Sequence, residues 1–234
     1  MKKLAVITGG TKGIGRALVL QFAKNDFDLV VCARNEGDLK SLKEEVEDTM
    51  EVSVYVKPTD VSNKAQMESF ITFIKSLKRD VDVLINNAGV FLPGQVHSEE
   101  EGMLEKMIDT NLYSAYRLTR GLVHQMIDKQ KGHIFNICST ASFMPYVNGG
   151  SYCISKFAML GMSKVLREEL KEHDIKVTSV MPGATFTASW EGADVPEERF
   201  MKAEDVAEAI WQAYVLSKRT VIEELVLRPQ LGDL

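Results

Sequence analysis

Short runs of β-branched and other apolar residues alternate with amphipathic stretches along the whole chain. Most of these runs are continuously apolar, which is typical of parallel strands covered on both faces. Between them, apolar residues recur every three or four positions, as on one face of a helix. The alternation predicts an α/β fold: a doubly wound parallel sheet of about seven strands with helices on both faces. The predicted strands are Leu4 to Thr8, Leu29 to Cys32, Val52 to Val56, Val83 to Ile85, Ile134 to Ile137, Val177 to Val180 and Val221 to Leu227.

The bulk composition favours one domain over residues 1–234. Of the 234 residues, 45% are hydrophobic and 26% are charged, enough to enclose one substantial core. The net charge of -5 provides no excess positive field, so we expect neither nucleic acid nor a membrane as partner, but a small molecule.

The chain begins with two lysines and an apolar run, Leu4 to Ile7, that is too short for a signal peptide. No apolar stretch approaches the ~20 residues that span a bilayer. We therefore expect a cytoplasmic protein. Cys32, Cys138 and Cys153 form no CxxC pair, and the four histidines lack ligand spacing, so we expect reduced core thiols and no metal site.

Three irregular segments each follow a predicted strand: Val90 to Glu99, Ser139 to Gly150 and Gly183 to Met201. Ligands of parallel sheets bind at the carboxyl ends of the strands, so we expect the substrate here, with a short substrate loop at 183–202. Flat aromatic side chains in these segments suit a bicyclic ring, although they would equally line an acyl channel or pack the loops together. The acidic run Glu99 to Glu101 is interpreted as a solvated helix start. The candidate substrate residues are Phe91, Phe143, Tyr146, Phe186 and Trp190.

A glycine-rich turn lies between the first predicted strand and the first predicted helix. Glycines let the backbone approach a pyrophosphate, whose charge is stabilised by the unpaired N–H groups at the helix start. This position predicts a Rossmann-type nucleotide site. The spacing of Gly9, Gly13 and Gly15 departs from GxGxxG, however. The candidate cofactor residues in the turn are Gly9, Thr11, Lys12, Gly13, Ile14 and Gly15.

The end of the second predicted strand indicates which nucleotide binds. A carboxylate there binds the 2′-hydroxyl of NAD, whereas an arginine accommodates the 2′-phosphate of NADP. This strand ends in Ala33-Arg34 without a carboxylate, and Lys12 adds a second cation. We predict NADPH/NADP as the cofactor. The alternative is a solvated Arg34 that pairs with Glu36.

Tyr152 and Lys156 lie four positions apart in a predicted helix, one turn apart on the same face. A phenol with its ordinary pKa near ~10 releases a proton poorly at neutral pH, and a neighbouring ammonium stabilises the phenolate. The pair is therefore a candidate proton donor for carbonyl chemistry.

Six motifs occur in order along the chain: the glycine turn, Asn86-Asn87-Ala88-Gly89, Asn111, Ser139, the Tyr152/Lys156 pair and Pro182-Gly183. With these motifs the chain resembles the short-chain dehydrogenase/reductase family over essentially its whole length. The tail from Arg219 to Pro229, and Pro182-Gly183-Ala184 followed by Trp190, are also similar to bacterial sepiapterin reductases.

The resemblance implies roles for residues outside the glycine turn. It implies that Asn111, Ser139, Tyr152 and Lys156 are catalytic, with Ser139 polarising the substrate oxygen and Asn111 holding a water. It also implies a dimer or tetramer, consistent with the apolar segments Ala158 to Met162 and Leu112 to Met126. The further cofactor contacts that it implies are Asp60, Val61, Asn87, Ala88, Gly89, Tyr152, Lys156, Pro182, Gly183, Thr185 and Thr187.

Together these observations predict an NADPH-dependent carbonyl reductase in which Tyr152 supplies the proton, acting on a sepiapterin-like or other aromatic or dicarbonyl substrate. A 3-oxoacyl-(acyl carrier protein) reductase is the alternative within enzymes. An NADP(H)-sensing regulatory protein is the alternative of another class.

Overall fold

The computed structural model describes residues 1–187 and 195–233. Within these residues, seven strands form one sheet in the order β3-β2-β1-β4-β5-β6-β7, and all neighbours are parallel. The predicted doubly wound parallel sheet is confirmed. The strands are β1 (Lys3–Thr8), β2 (Phe27–Ala33), β3 (Val54–Pro58), β4 (Val83–Asn86), β5 (Gly132–Ile137), β6 (Ile175–Pro182) and β7 (Glu224–Leu227).

Helices connect the strands and cover the sheet. A π-helical turn, Asp109–Tyr113, joins two of them, and a 3₁₀ turn, Thr140–Ser142, follows β5. The α-helices of the described residues are α1 (Gly13–Lys24), α2 (Glu36–Thr49), α3 (Lys64–Ser76), α4 (Met103–Ile108), α5 (Ser114–Lys129), α6 (Gly150–Leu170) and α7 (Ala203–Val215).

Two apolar layers lie on opposite faces of the sheet because successive strand residues point to opposite sides. In β1, Ala5 and Ile7 pack with α1, α2 and α7, whereas Leu4 and Val6 pack with α3 and α5. Burial on both faces explains why these strands read as continuously apolar.

Most predicted strand boundaries differ from the structure by one to three residues, and two strands begin later than predicted. β3 begins at Val54 rather than Val52, and β7 begins at Glu224 rather than Val221. β7 is an edge strand that pairs with β6 alone, starting at Ser179, and none of its four residues is fully buried. The expectation that a strand is buried on both faces therefore does not hold for β7 at the edge of the sheet.

The strand order reverses between β1 and β4, because β2 lies beside β1 on one side and β4 on the other. Loops leaving neighbouring strands in opposite directions open a crevice at such a switch point, at the carboxyl ends of the strands. The glycine turn follows β1 and the Asn87-Ala88-Gly89 segment follows β4, so both border this crevice.

Candidate active site

The glycine turn is compact because side chains are excluded from it. Gly9 has φ +67°, a left-handed conformation that favours glycine, and a Cβ on Gly15 would collide with the carbonyl oxygen of Gly9. The N–H of Gly9 donates a 2.8 Å hydrogen bond to the carbonyl of Cys32 in β2, which ties the turn to the sheet. Within the described residues, the N-cap residue Lys12 makes no side-chain capping bond, so the first turn of α1 keeps N–H groups free for an anion.

Thr8 joins the two loops that border the crevice, a role the sequence reasoning missed. Its hydroxyl oxygen accepts 3.0 Å hydrogen bonds from the backbone N–H groups of Asn87 and Ala88. In return, Asn87 Nδ2 donates to the carbonyls of Thr8 and Gly9 at 2.8 and 3.2 Å. The position of Thr8, a polar residue at the end of an otherwise apolar strand, is the sequence feature that could have indicated this role.

Arg34 lies exposed just beyond the end of β2. Glu36 pairs with Lys40 at 2.9 Å, and no ion pair found among the described residues involves Arg34. The alternative pairing of Arg34 with Glu36 is therefore not observed. Lys12 is mostly exposed and lies 3.8 Å from Asp38, which is a weak ion pair.

Asp60 and Val61 follow β3. The Asp60 carboxylate accepts hydrogen bonds from the backbone N–H and the hydroxyl of Ser62 at 3.0 and 2.7 Å, which shapes this turn, and Val61 is buried. Beyond β6, the N–H of Gly183 donates to the carbonyl of Leu227 at 2.8 Å, which places Pro182 and Gly183 beside β7.

The segment after Gly183 approaches the glycine turn. Thr185 is buried, and a Cβ on Gly13 would lie 2.9 Å from the methyl group of Thr187. Chain regions more than 170 positions apart thus meet at the start of α1. Thr187 borders the region where the sequence places the phosphates.

Tyr152 and Lys156 lie in the first two turns of α6. Lys156 is 5% exposed, and its Nζ donates a 2.9 Å hydrogen bond to the carbonyl of Ile137, the last residue of β5. The same nitrogen lies 5.8 Å from the centroid of the Tyr152 ring. Phe91 packs edge-on against this ring, with centroids 4.9 Å apart. The helix thus directs the pair to the carboxyl end of the sheet.

Asn111 is buried inside the π-helical turn rather than beside a helix start. Its Oδ1 accepts from the N–H of Val90 at 2.8 Å, and its Nδ2 donates to the Val90 carbonyl and to Ser155 Oγ at 3.0 and 2.9 Å. Such π-turns are frequent at functional sites. The amide thereby links the loop after β4 to α6, and Ser155 is a participant that sequence reasoning missed.

Ser139 lies two residues beyond the end of β5. Its Oγ accepts from the N–H of Ala141 at 3.1 Å, and its own N–H donates to Ser142 Oγ at 3.2 Å. This capping box holds the 3₁₀ turn, Thr140–Ser142. The serine oxygen is used as an acceptor, so its hydrogen can be donated.

Gly89 lies close to two of these groups. A Cβ at this position would stand 3.3 Å from Asn111 Oδ1 and 3.6 Å from Lys156 Nζ. The segment after β4, a predicted cofactor contact, therefore passes directly beside the catalytic candidates on α6 and the π-turn.

The predicted substrate residues differ in their exposure. Phe91 is half-buried against Tyr152, whereas Phe143, Tyr146 and Phe186 are 44%, 48% and 45% exposed. Trp190 lies outside the described residues.

Glu99 contradicts the interpretation of residues 99–101 as a solvated helix start. Glu100 and Glu101 are exposed, and α4 begins only at Met103, but Glu99 is half-buried and accepts hydrogen bonds from Ser151. The sequence contained no signal for this contact, because it joins a loop to the first turn of a helix more than 50 positions away.

The cysteines are buried, and burial raises the pKa of Cys32 to about 12 and that of Cys138 to about 11. In the part of the chain that the structure describes, no group of three or more His, Cys, Asp or Glu residues is placed to hold a metal ion. No helix within residues 1–187 and 195–233 is long and apolar enough to cross a membrane.

Comparison with known proteins gives consistent results. The family model for short chain dehydrogenases matches residues 3–197. A sepiapterin reductase from Chlorobaculum tepidum is 34% identical over 242 aligned residues, covering 100% of this chain and 99% of that protein.

Solved structures share the fold along the full length. An alcohol dehydrogenase from Thermococcus sibiricus complexed with 5-hydroxy-NADP has a TM-score of 0.91 at 26% identity, covering 99% of this chain and 98% of that one. A variant of actinorhodin polyketide ketoreductase with NADPH has a TM-score of 0.88 at 25% identity, covering 100% and 98%. On the family match, the sequence relative and the shared architecture, the chain belongs to the short-chain dehydrogenase family.

Proposed function

We propose that the protein is an NADPH-dependent carbonyl reductase that converts a ketone or aldehyde into an alcohol. The observation that carries this proposal is the approach of Lys156 to Tyr152, 5.8 Å from nitrogen to ring centroid, beside Gly89 at the carboxyl end of the sheet. A surface pair of these residue types would be solvated, whereas Lys156 is 5% exposed and bonded to a strand carbonyl.

The crevice fits a dinucleotide that carries a 2′-phosphate. The turn from Gly9 to Gly15 leaves backbone N–H groups for a pyrophosphate, and the side chain of Thr187 lies beside Gly13 in this turn. Arg34, which forms no ion pair within residues 1–187 and 195–233, offers a planar fork of donors where the 2′-phosphate is expected. The solved relatives that contain NADP-type cofactors support this assignment.

NADPH, when bound, supplies the hydride that adds to the carbonyl carbon. Tyr152 holds on its phenol oxygen the proton that passes to the carbonyl oxygen, so the products are an alcohol and NADP⁺. Ser139 donates its hydroxyl hydrogen to the same oxygen and stabilises negative charge as it develops there. Lys156 stabilises the phenolate that remains after proton transfer.

We assign Asn111 a positioning role. Its side-chain oxygen and nitrogen are already engaged by Val90 and Ser155, so the water that the family resemblance implies would bind at another atom of this turn. By joining the loop after β4 to α6, the Asn111 amide keeps Gly89 and Lys156 in a fixed position relative to each other.

The substrate proposed first is a sepiapterin-like dicarbonyl on an aromatic bicycle. The C. tepidum relative and the partly exposed aromatic rings beside the site support it. A 3-oxoacyl thioester is the second candidate, supported by the likeness to a polyketide ketoreductase and by the apolar character of the same side chains.

A carbonyl panel tests the function directly. Loss of NADPH absorbance is followed with sepiapterin, acetoacetyl thioesters, and simple ketones and aldehydes, and each is repeated with NADH. We expect turnover with NADPH, fastest with sepiapterin. Faster turnover of acetoacetyl thioesters would favour the second candidate, and no NADPH oxidation with any carbonyl would favour an NADP(H)-sensing protein.

We also propose that the protein forms a homodimer or homotetramer through α5 and α6. Tyr116 on α5 and Val165 on α6 are 43% and 56% exposed, and Tyr113, directly before α5, is 44% exposed. All three line a cleft together with further apolar residues. Light scattering tests the proposal, and a monomer at micromolar concentration would contradict it.

A further inference from the structure

The carboxylate of Glu99 lies against the first turn of α6. Glu99 Oε1 accepts a 2.9 Å hydrogen bond from the backbone N–H of Ser151, and its second oxygen accepts one from the Ser151 hydroxyl. Ser151 is 2% exposed and directly precedes Tyr152. A side chain from a distant loop therefore satisfies an N–H group that helix geometry leaves without an internal partner.

Two glycines make this contact sterically possible. A Cβ on Gly150 would collide with Glu99 Oε1, and a Cβ on Gly94 would lie 2.6 Å from Glu99 Cγ. The N-cap residue of α6 is Gly149, which has no side chain to cap the helix. The first turn of α6 thus depends on Glu99 for its side-chain cap.

The segment that carries Glu99 is joined to the loop before α6 at further points. The N–H of Gly94 donates to the carbonyl of Asn148 at 3.0 Å, and Gln95 Nε2 donates to Asn148 Oδ1 at 2.9 Å. Phe91, at the start of the same segment, packs on the Tyr152 ring. Residues 91–99 and the start of α6 therefore form one packed unit.

The two catalytic candidates on α6 are held by different contacts. Lys156 is anchored by its hydrogen bond to Ile137 in the sheet, whereas Tyr152 is the third residue of the helix, within the turn that Glu99 caps. A carboxylate that accepts from a helix N-terminal N–H makes a charge-assisted bond and is favourably placed in the helix dipole. Loss of this bond would loosen Tyr152 while Lys156 stays in place.

We propose that Glu99 is a positioning residue for Tyr152: its carboxylate, bound to the N–H and hydroxyl of Ser151, holds the first turn of α6 so that the phenol meets the substrate oxygen. This inference rests on the proposed carbonyl reduction.

Three variants test the proposal by steady-state kinetics at a temperature where all are folded. Because a small misplacement of a reacting group costs up to about 100-fold in rate, we expect Glu99→Ala to lower kcat by about 10- to 100-fold with the Kd for NADPH within about twofold. Glu99→Gln keeps the size and a hydrogen-bond acceptor, so it should restore most of kcat. Glu100→Ala, the exposed neighbour, should match the wild type. An unchanged kcat in Glu99→Ala, or a Glu99→Gln variant as slow as Glu99→Ala, would overturn the proposal.

Amide hydrogen exchange provides a readout that needs no turnover. Gly150→Ala should expel the carboxylate, whereas Gly161→Ala, on the same helix with open space around it, should not. We expect exchange at Ser151 and Tyr152 to accelerate about tenfold or more in Glu99→Ala and Gly150→Ala, and to stay unchanged in Gly161→Ala and Glu100→Ala. If the wild type reduces no carbonyl, the proposed function fails, but exchange still reports whether Glu99 holds the turn. Unchanged exchange at Ser151 in Glu99→Ala would overturn the proposal in either case.

Discussion

Lys156 lies with its ammonium nitrogen 5.8 Å from the centroid of the Tyr152 ring, and the two residues are one helical turn apart on α6. The ammonium is fixed by its bond to the carbonyl of Ile137, so its position relative to the phenol is set by the sheet as well as by the helix. The ammonium and the phenol ring are therefore held together at the carboxyl end of the sheet.

Replacing Tyr152 by Phe removes the proposed proton donor and leaves the ring that packs against Phe91. We expect kcat to fall by about 100-fold or more, since positioned proton transfer contributes about 10²- to 10⁴-fold. NADPH affinity, measured by fluorescence titration, should stay within about twofold. Substantial residual turnover in this variant would contradict the assignment of Tyr152.

Replacing Arg34 by Ala removes the proposed 2′-phosphate contact. We expect NADPH affinity to fall at least about tenfold, because a charge-assisted bidentate contact contributes about 1.5–3 kcal/mol, while NADH affinity changes little. Lys40→Ala is the matched control, since Lys40 lies nearby but is already paired with Glu36. A loss of less than tenfold in calorimetric titration would refute the cofactor preference.

Replacing Asn111 by Ala breaks three hydrogen bonds that join the loop after β4 to α6. The part-buried N–H and C=O of Val90 would lose their side-chain partner. An unsatisfied group costs about 1–3 kcal/mol when it is fully buried, and less where water reaches it. We expect the free energy of unfolding in urea to decrease by about 2 kcal/mol and kcat to fall more than the Kd for NADPH rises. Thr110→Ala, on the same turn, is the control. Equal stability and activity of both variants would argue against the positioning role.

His133 predicts a pH dependence of stability. Burial lowers the pKa of this histidine from 6.5 to about 3. Its Nε2 lies 2.8 Å from Thr178 Oγ1, and the threonine hydrogen is donated to the carbonyl of Ile222, so the neutral ring carries its hydrogen on Nε2. Among the described residues, Nδ1 has no hydrogen-bond partner, so protonation there would bury an unpaired cation.

The sign of the effect follows from the lowered pKa. Between pH 6.5 and about 3 the unfolded chain binds a proton at His133 that the folded chain does not, so the free energy of unfolding falls as the pH falls through this window. The folded protein keeps this part of its stability in full above about pH 6.5. Below that pH the free energy of unfolding falls by about 1.4 kcal/mol per pH unit, a few kcal/mol in total. Urea unfolding at about pH 7.0, 6.0 and 5.0 measures the effect. From the highest to the lowest pH, the free energy of unfolding should decrease less in His133→Gln than in the wild type and in His97→Gln, the control at an exposed site. Parallel loss in all three proteins would contradict the prediction.

Local sequence patterns determined the sheet, its helices and the family. A continuous apolar run indicates a strand buried on both faces, and apolar residues spaced by four indicate one face of a helix. Both patterns can be recognised in the sequence because the repeat of the backbone is the same wherever the segment lies in the fold. The glycine turn and the Tyr152/Lys156 spacing could be interpreted for the same reason. The predicted start of the edge strand β7 was wrong, because the residues that pair at an edge depend on where the neighbouring strand lies.

Contacts between distant elements were decided by the tertiary structure alone. Thr8 with Asn87, Asn111 with Ser155 and Glu99 with Ser151 each join segments that are far apart in the sequence, and each was missed or misread from the sequence. A hydrogen bond depends on a separation of about 3 Å between two atoms, and no sequence period encodes that distance once the residues lie on separate elements. The chain therefore specifies its elements locally, whereas the alignment of the catalytic candidates depends on how the carboxyl ends of the strands pack together.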